Sequence, residues 1–146
     1  FKKFGLISFD YSRRDYGSMK FKPENDMHFS DLNQQISFRL KEVNTYRIGA
    51  EILSDRLSFR GGYMYEDSPY NSLNNTHILD IDSNIDDSIS GFSLGIGYKL
   101  KDTTIDLSFV KIESSKYKRL YDTGLTNQVN LETDNTSVTI SVSTIF

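Results

Sequence analysis

The chain is written in a repeat of two. In Gly5-Leu6-Ile7-Ser8-Phe9-Asp10-Tyr11-Ser12, the residues Ile7, Phe9 and Tyr11 fall on one side and Ser8, Asp10 and Ser12 on the other. Alternate side chains of an extended backbone point to opposite faces, so the pattern predicts a strand with one apolar face. The run 45–52 does the same, setting Tyr46, Ile48, Ala50 and Ile52 against Arg47, Gly49 and Glu51. Only Ser54-Asp55 then leads to the run 57–65, whose odd positions Leu57, Phe59, Tyr63 and Tyr65 are apolar. So short a link between two alternating runs predicts a tight hairpin. The cleanest alternation is 92–100, with Phe92, Leu94, Ile96, Tyr98 and Leu100 against Ser93, Gly95, Gly97 and Lys99. A turn around Lys101-Asp102 leads into 104–109, and 137–146 closes the chain, for about six strands in all.

The connections alternate too. Short turns lie near residues 54 and 101, and long polar segments occupy roughly 20–35, 67–90 and 113–130. Loops beyond about 12–15 residues are uncommon in compact domains, whereas short turns on one rim and long loops on the other are the pattern of outer-membrane barrels. With strands running up and down in order, both short turns and Phe146 fall on one rim, expected to be periplasmic.

Composition narrows the picture. With 37% hydrophobic and 25% charged residues and a mean hydropathy of −0.47, no run approaches the roughly 20 apolar residues of a transmembrane helix. Phe1-Lys2-Lys3-Phe4-Gly5 leads into no secretory signal, so any export signal is expected outside this sequence. Aromatics reach 13% as ten Phe and nine Tyr, with no Trp and only two Pro, a balance that favours strands. The absence of Cys removes disulfides, thiolate metal sites and cysteine nucleophiles. A net charge of −3 argues against nucleic acid, which calls for clustered Lys and Arg. The one basic cluster, Lys116-Tyr117-Lys118-Arg119, reads as a solvated loop or strand end.

A soluble β-sandwich also alternates apolar and polar residues. Three features favour a membrane barrel instead: strands able to reach about 9–11 residues, Tyr11, Tyr46, Tyr63, Tyr65 and Tyr98 near strand ends as in an aromatic girdle, and a terminal Phe. In lipid a sheet must close on itself, and known barrels start at about 8 strands. Six are too few, so further strands of a parent protein, or another chain, are expected to complete the cylinder.

At this point the residues resemble a family. Lys41-Glu42-Val43-Asn44-Thr45-Tyr46-Arg47-Ile48-Gly49-Ala50-Glu51-Ile52, then Leu57-Ser58-Phe59-Arg60-Gly61-Gly62-Tyr63 and Tyr65-Glu66-Asp67-Ser68-Pro69-Tyr70, resemble the run near the C-terminal end of FadL/TodX-type outer-membrane transporters of long-chain fatty acids and hydrocarbons. Phe92-Ser93-Leu94-Gly95-Ile96-Gly97-Tyr98 and Ile105-Asp106-Leu107-Ser108-Phe109 are similar to two later strands of that family. Gly5-Leu6-Ile7-Ser8-Phe9-Asp10-Tyr11 and Asp15-Tyr16-Gly17-Ser18-Met19-Lys20-Phe21 are similar to its hemin-receptor branch. The resemblance implies an all-β antiparallel transmembrane barrel of about fourteen strands in the outer membrane of a Gram-negative bacterium, with residues 1–146 as its C-terminal part. It implies passive uptake of a hydrophobic ligand inside the barrel. The plug and gap that handle the ligand in the family map outside this sequence, so no ligand residue is carried over.

Candidate chemistry follows from the alternation. The face opposite the apolar stripe gathers Asp10, Arg14, Arg47, Glu51, Arg60, Glu66, Lys99 and Asp106, expected to line the lumen. These could orient a ligand carboxylate, or form an internal ion-pair lattice that holds a plug, since buried charges must be paired. Gly49, Gly62, Gly95 and Gly97 on that face leave room for a plug or ligand, or relieve crowding in curved strands. Val138, Ile140, Val142 and Phe146 resemble the terminal signal read by the outer-membrane insertion machinery. Asp80-Ile81-Asp82-Ser83-Asn84-Ile85-Asp86-Asp87 has acids at calcium-loop spacing, but Ile85 and Gly91 stand where an EF-hand needs Gly and Glu. His28 and His77 read as solvated loop residues rather than haem ligands. No metal, cofactor or catalysis is expected. Membrane lipid, the insertion machinery and a hydrophobic ligand are the expected partners. The rival readings are a surface-exposed barrel that anchors or binds a partner through its loops, and a soluble β-sandwich binding module.

Overall fold

The computed structural model describes residues 4–24, 26–71, 87–118 and 129–145. Six strands, β1 (Gly5–Asp15), β2 (Glu42–Ser54), β3 (Leu57–Glu66), β4 (Ile89–Leu100), β5 (Thr103–Lys118) and β6 (Val129–Thr144), and one helix, α1 (Met27–Arg39), follow one another along the chain. The strands form one antiparallel sheet in sequential order β1-β2-β3-β4-β5-β6. The fold is thus all-β and antiparallel with the expected number of strands. The sheet is open, with β1 and β6 as its edges.

Both short turns share a rim with the start of β1 and the end of β6, because Gly5 lies opposite Ile52 and Thr144 opposite Thr103. The first turn sits one place later than the sequence predicts. Ser54 pairs with Leu57, so Asp55 and Arg56 make the turn. Asp55 takes φ 51° there, a left-handed conformation that Asp tolerates. The second turn is Lys101-Asp102, as expected.

The strands outrun their apolar stripes, which corrects two of the three long loops. The described ends of the segment 113–130, residues 113–118 and 129–130, are strand, with Ser114 opposite Thr133 and Lys118 opposite Val129. They alternate weakly because both of their faces are largely polar, and backbone pairing needs no apolar face. The segment 20–35 holds most of α1. Asp26 caps it by accepting a hydrogen bond from the His28 backbone N–H at 2.9 Å. The Asn33 amide grips the backbone of Phe21 from both sides, at 2.7 and 3.1 Å, and Phe21 packs on Phe29 with ring centroids 5.6 Å apart. His28 is therefore helical rather than in a loop; His77 and Asp80, Asp82 and Asp86 lie outside the described residues.

Past the ends of β2 and β3 the ladder continues through a bridge between Leu40 and Tyr70, with Lys41 N–H bonding Pro69 O at 2.8 Å. Beneath this extension are Val43 and Thr45, at 2% and 1% exposure. Val43 is the one buried hydrophobic side chain among the described residues. The sheet therefore has almost no core of its own, and its apolar stripe faces outward uncovered.

Candidate functional site

Strand register sorts every side chain onto one of two faces. Ile7, Ala50, Gly61, Leu94, Phe109 and Val138 lie level across all six strands. Below them runs Ile52, Phe59, Ile96, Leu107 and Ile140, and below that Leu57, Tyr98, Ile105 and Val142. Above them, Phe9, Ile48, Tyr63 and Phe92 form a fourth row, and Tyr11, Tyr46 and Tyr65 a fifth. On the same face the next level is polar, with Arg13 opposite Asn44 and ion-paired to Glu42. The tyrosines mark that border: the Tyr11 and Tyr46 rings lie 5.3 Å apart, and the Tyr11 hydroxyl reaches up to donate to Asn44 Oδ1 at 2.8 Å. Tyrosine suits such a border because its ring is apolar and its tip polar.

The band is slanted. Ile7, its lowest apolar residue on β1, is level with Val138, its highest on β6. Its centre moves from Phe9 to Ile140, two rows or about four residues over five strand gaps. At ~3.3 Å per residue and ~4.8 Å per strand this is a rise of ~13 Å in ~24 Å, a strand tilt of about 30° from the band's normal. Membrane barrels tilt their strands by roughly 35–45°. From Leu57 to Tyr65 the band spans ~27 Å along β3, or ~23 Å along the normal, against ~25 Å for a barrel's lipid-facing belt.

All eight residues predicted for the opposite face lie on it together. Asp10 and Arg47 are direct cross-strand partners joined at 2.7 Å. Glu51 and Arg60 are another such pair, at 2.8 Å, and Arg60 uses its second nitrogen to reach Asp106 on β5 at 2.7 Å. To do so it crosses β4, and glycine clears the way: a Cβ on Gly95 would stand 3.5 Å from Arg60 Cβ, and one on Gly97 only 2.5 Å from Asp106 Oδ1. Five of the eight, Asp10, Arg47, Glu51, Arg60 and Asp106, are thus ion-paired, and Arg47 and Arg60 serve different carboxylates. Glu66 accepts from the Thr45 hydroxyl at 2.9 Å, and Arg14 hydrogen-bonds Tyr16 with Glu66 in electrostatic range. Lys99 is exposed near the short-turn rim and meets no carboxylate among the described residues.

Val138, Ile140 and Val142 stand on the apolar face of the free edge strand β6, each more than 60% exposed; Phe146 lies outside the described residues. Two features escaped the sequence pattern. On the apolar face above the band, Lys111 of β5 pairs with Glu113 and with Asp134 of β6. On the polar face, Met64, Val110 and Ile112 interrupt the run of hydroxyls and charges around Gly62 and Gly91. Their apolar character at polar-parity positions was the signal available. Among the described residues no cluster of three or more His, Cys, Asp or Glu could hold a metal ion. Comparison with known proteins finds no matching family model, curated protein or solved structure. The functional reading therefore rests on the two faces alone.

Proposed function

We propose that this sheet is part of the wall of an outer-membrane β-barrel, of the FadL/TodX type its sequence resembles, that lets hydrophobic small molecules such as long-chain fatty acids pass inward. The observation that carries the reading is the pairing of opposite faces: an uncovered, slanted, tyrosine-edged apolar band on one side, and on the other a polar face on which Asp10, Arg47, Glu51, Arg60 and Asp106 are ion-paired. A lipid-facing belt and a wet interior need that division. The unpaired backbone of β1 and β6 must be met by further strands if the band sits in lipid, because exposed amides there cost several kcal/mol each. Detergent extraction of cell envelopes tests the location: recovery of the protein in the aqueous fraction without detergent would end the membrane reading. Comparing uptake of labelled fatty acid by cells with and without the gene tests the transport step, and unchanged uptake would exclude it.

One observation favours the surface-binding alternative. β5 and β6 stay paired to Lys118 and Val129, beyond the end of β4 at Ile89, which faces Ser114. They form a polar ribbon rising past the band on the long-loop side. Removing that ribbon should leave uptake intact and abolish any cell-surface partner binding if the barrel serves as an anchor.

A further inference from the structure

We propose that the polar face carries a niche for a neutral alkyl chain, floored by Gly62 and Gly91 and walled by Met64, Val110 and Ile112. The proposal rests on that face being the interior of a membrane barrel. Met64, Gly91 and Ile112 lie level on β3, β4 and β5, with Gly62, Ser93 and Val110 in the adjacent row. Together they bound a hollow of about 240 Å³ whose lining is almost wholly carbon. Elsewhere this face carries mainly hydroxyls, glycines and charges, with Leu6, Leu53, Ile89 and Leu131 scattered along it, so the hollow, where three apolar side chains meet over glycine, is the place where an apolar solute would exchange water for hydrocarbon contact.

Glycine keeps it open. A Cβ on Gly91 would stand 3.3 Å from both Met64 Cγ and Ile112 Cγ1 and 3.0 Å from the Lys111 carbonyl, so any larger residue would begin to fill the space. Charge sets the class of occupant. Arg47 borders the hollow, but its guanidinium is already held by Asp10 at 2.7 Å. Among the described residues no unpaired charge is left beside the niche for an anionic head group, which selects an uncharged chain. The volume equals about eight waters at ~30 Å³ each, on the scale of a short alkane.

Methionine makes the site readable. The chain has three methionines. Met64 lines the niche, while Met19 and Met27 lie in the connection between β1 and β2. Protein carrying ¹³C-methyl methionine in lipid nanodiscs would be titrated with n-octane. The expected result is a saturable shift of the Met64 methyl, with Met19 and Met27 moving little and linearly. Ile112→Asn should abolish the saturation; Val110→Thr, nearly the same shape, should weaken it several-fold and stands in if the first variant fails to fold. A Met64 methyl that stays still, or that drifts linearly with the other two, overturns the proposal, since octane is then only partitioning into the bilayer. Saturation by octanoate at lower concentration than by octane overturns the neutral-chain assignment. Cellular uptake of labelled hydrocarbon separates the two levels. Gene-dependent uptake with a silent Met64 sinks the niche alone, and uptake independent of the gene sinks the transport reading whatever Met64 does.

Discussion

Replacing Arg60 by Met tests the polar face most directly, because Arg60 ties three strands together. Its side chain is 49% exposed, but its two carboxylate partners, Glu51 and Asp106, are only 21% and 24% exposed. Exposed ion pairs are worth about 0–1 kcal/mol, and hydrogen bonds to charged groups about 1.5–3 kcal/mol. Half exposure of the guanidinium places each arm near the lower range, about 1 kcal/mol. Arg60→Met also leaves two carboxylates without their counter-charge, so the total loss should be about 2 kcal/mol. The Asp10–Arg47 pair has similar geometry but 62% and 44% exposure, and its coupling should be about 0.5 kcal/mol or less. Double-mutant cycles in lipid vesicles, unfolded with urea, measure both: Arg60→Met with Asp106→Asn, and Arg47→Met with Asp10→Asn. The argument fails if the Arg60–Asp106 coupling is no larger than the Asp10–Arg47 coupling, since partial burial and a shared guanidinium would then count for nothing.

Three further outcomes follow from the same geometry. Gly97→Ala should cost about 1–2 kcal/mol by crowding Asp106 and Ser58, and should lower the Arg60–Asp106 coupling in the same urea assay; an unchanged coupling would show that glycine is not what admits the bridge. On the apolar face, Leu94→Arg in the middle of the band should cost about 2–4 kcal/mol and Ser90→Arg at its upper border about 0–1 kcal/mol, measured by the same unfolding; equal costs would remove the lipid belt. Fluorophores on Ile140→Cys should be quenched by lipids brominated along their chains while those on Ser141→Cys are quenched by aqueous iodide, and the reverse pattern would mean the strand is out by one residue.

What could be read from the sequence depended on one face being apolar. In 92–100 every second residue is large and carbon-rich, so the strand and its facing were plain, and the parity of Asp10, Arg47, Glu51, Arg60 and Asp106 followed. β5 and β6 faded where that contrast faded. Past Phe109 the positions on the apolar face turn to Lys111, Glu113 and Ser115 while Val110 and Ile112 take the polar face, so the alternation reverses and then dissolves although the backbone stays paired. α1 was missed because its half-buried side, Phe29, Ser30, Asn33 and Ile36, is narrow and two of its four residues are polar. The bridge from Arg60 to Asp106 was beyond the sequence for another reason. It depends on the relative register of three strands, and a slip of one residue would send either group to the other face. Gly95 and Gly97 were visible as small residues, but only the crossing side chain explains why they are small.

The slant of the band bears on the choice between a soluble and a membrane sheet more than its hydrophobicity does. A sandwich would cover an apolar face with a second sheet about 10 Å away, and the limits of the apolar patch would then follow the outline of that partner. A bilayer has no outline, only two parallel planes. Strands crossing it at an angle must move their apolar residues along the chain in one direction across the sheet, and the band does so from Ile7–Tyr11 on β1 through Leu57–Tyr65 on β3 to Phe92–Leu100 on β4, after which β5 and β6 stay level, with Phe109 opposite Val138 and Ile105 opposite Val142. The same rule binds whatever strand meets either free edge. A neighbour of β6 must set its apolar residues level with or below Val138, Ile140 and Val142, and a neighbour of β1 must set its own level with or above Ile7, Phe9 and Tyr11. If the band sits in lipid as proposed, a strand that broke this progression would carry polar side chains into the bilayer at the cost of a few kcal/mol each, so the slant of these six strands would constrain the register of any strand that joins them.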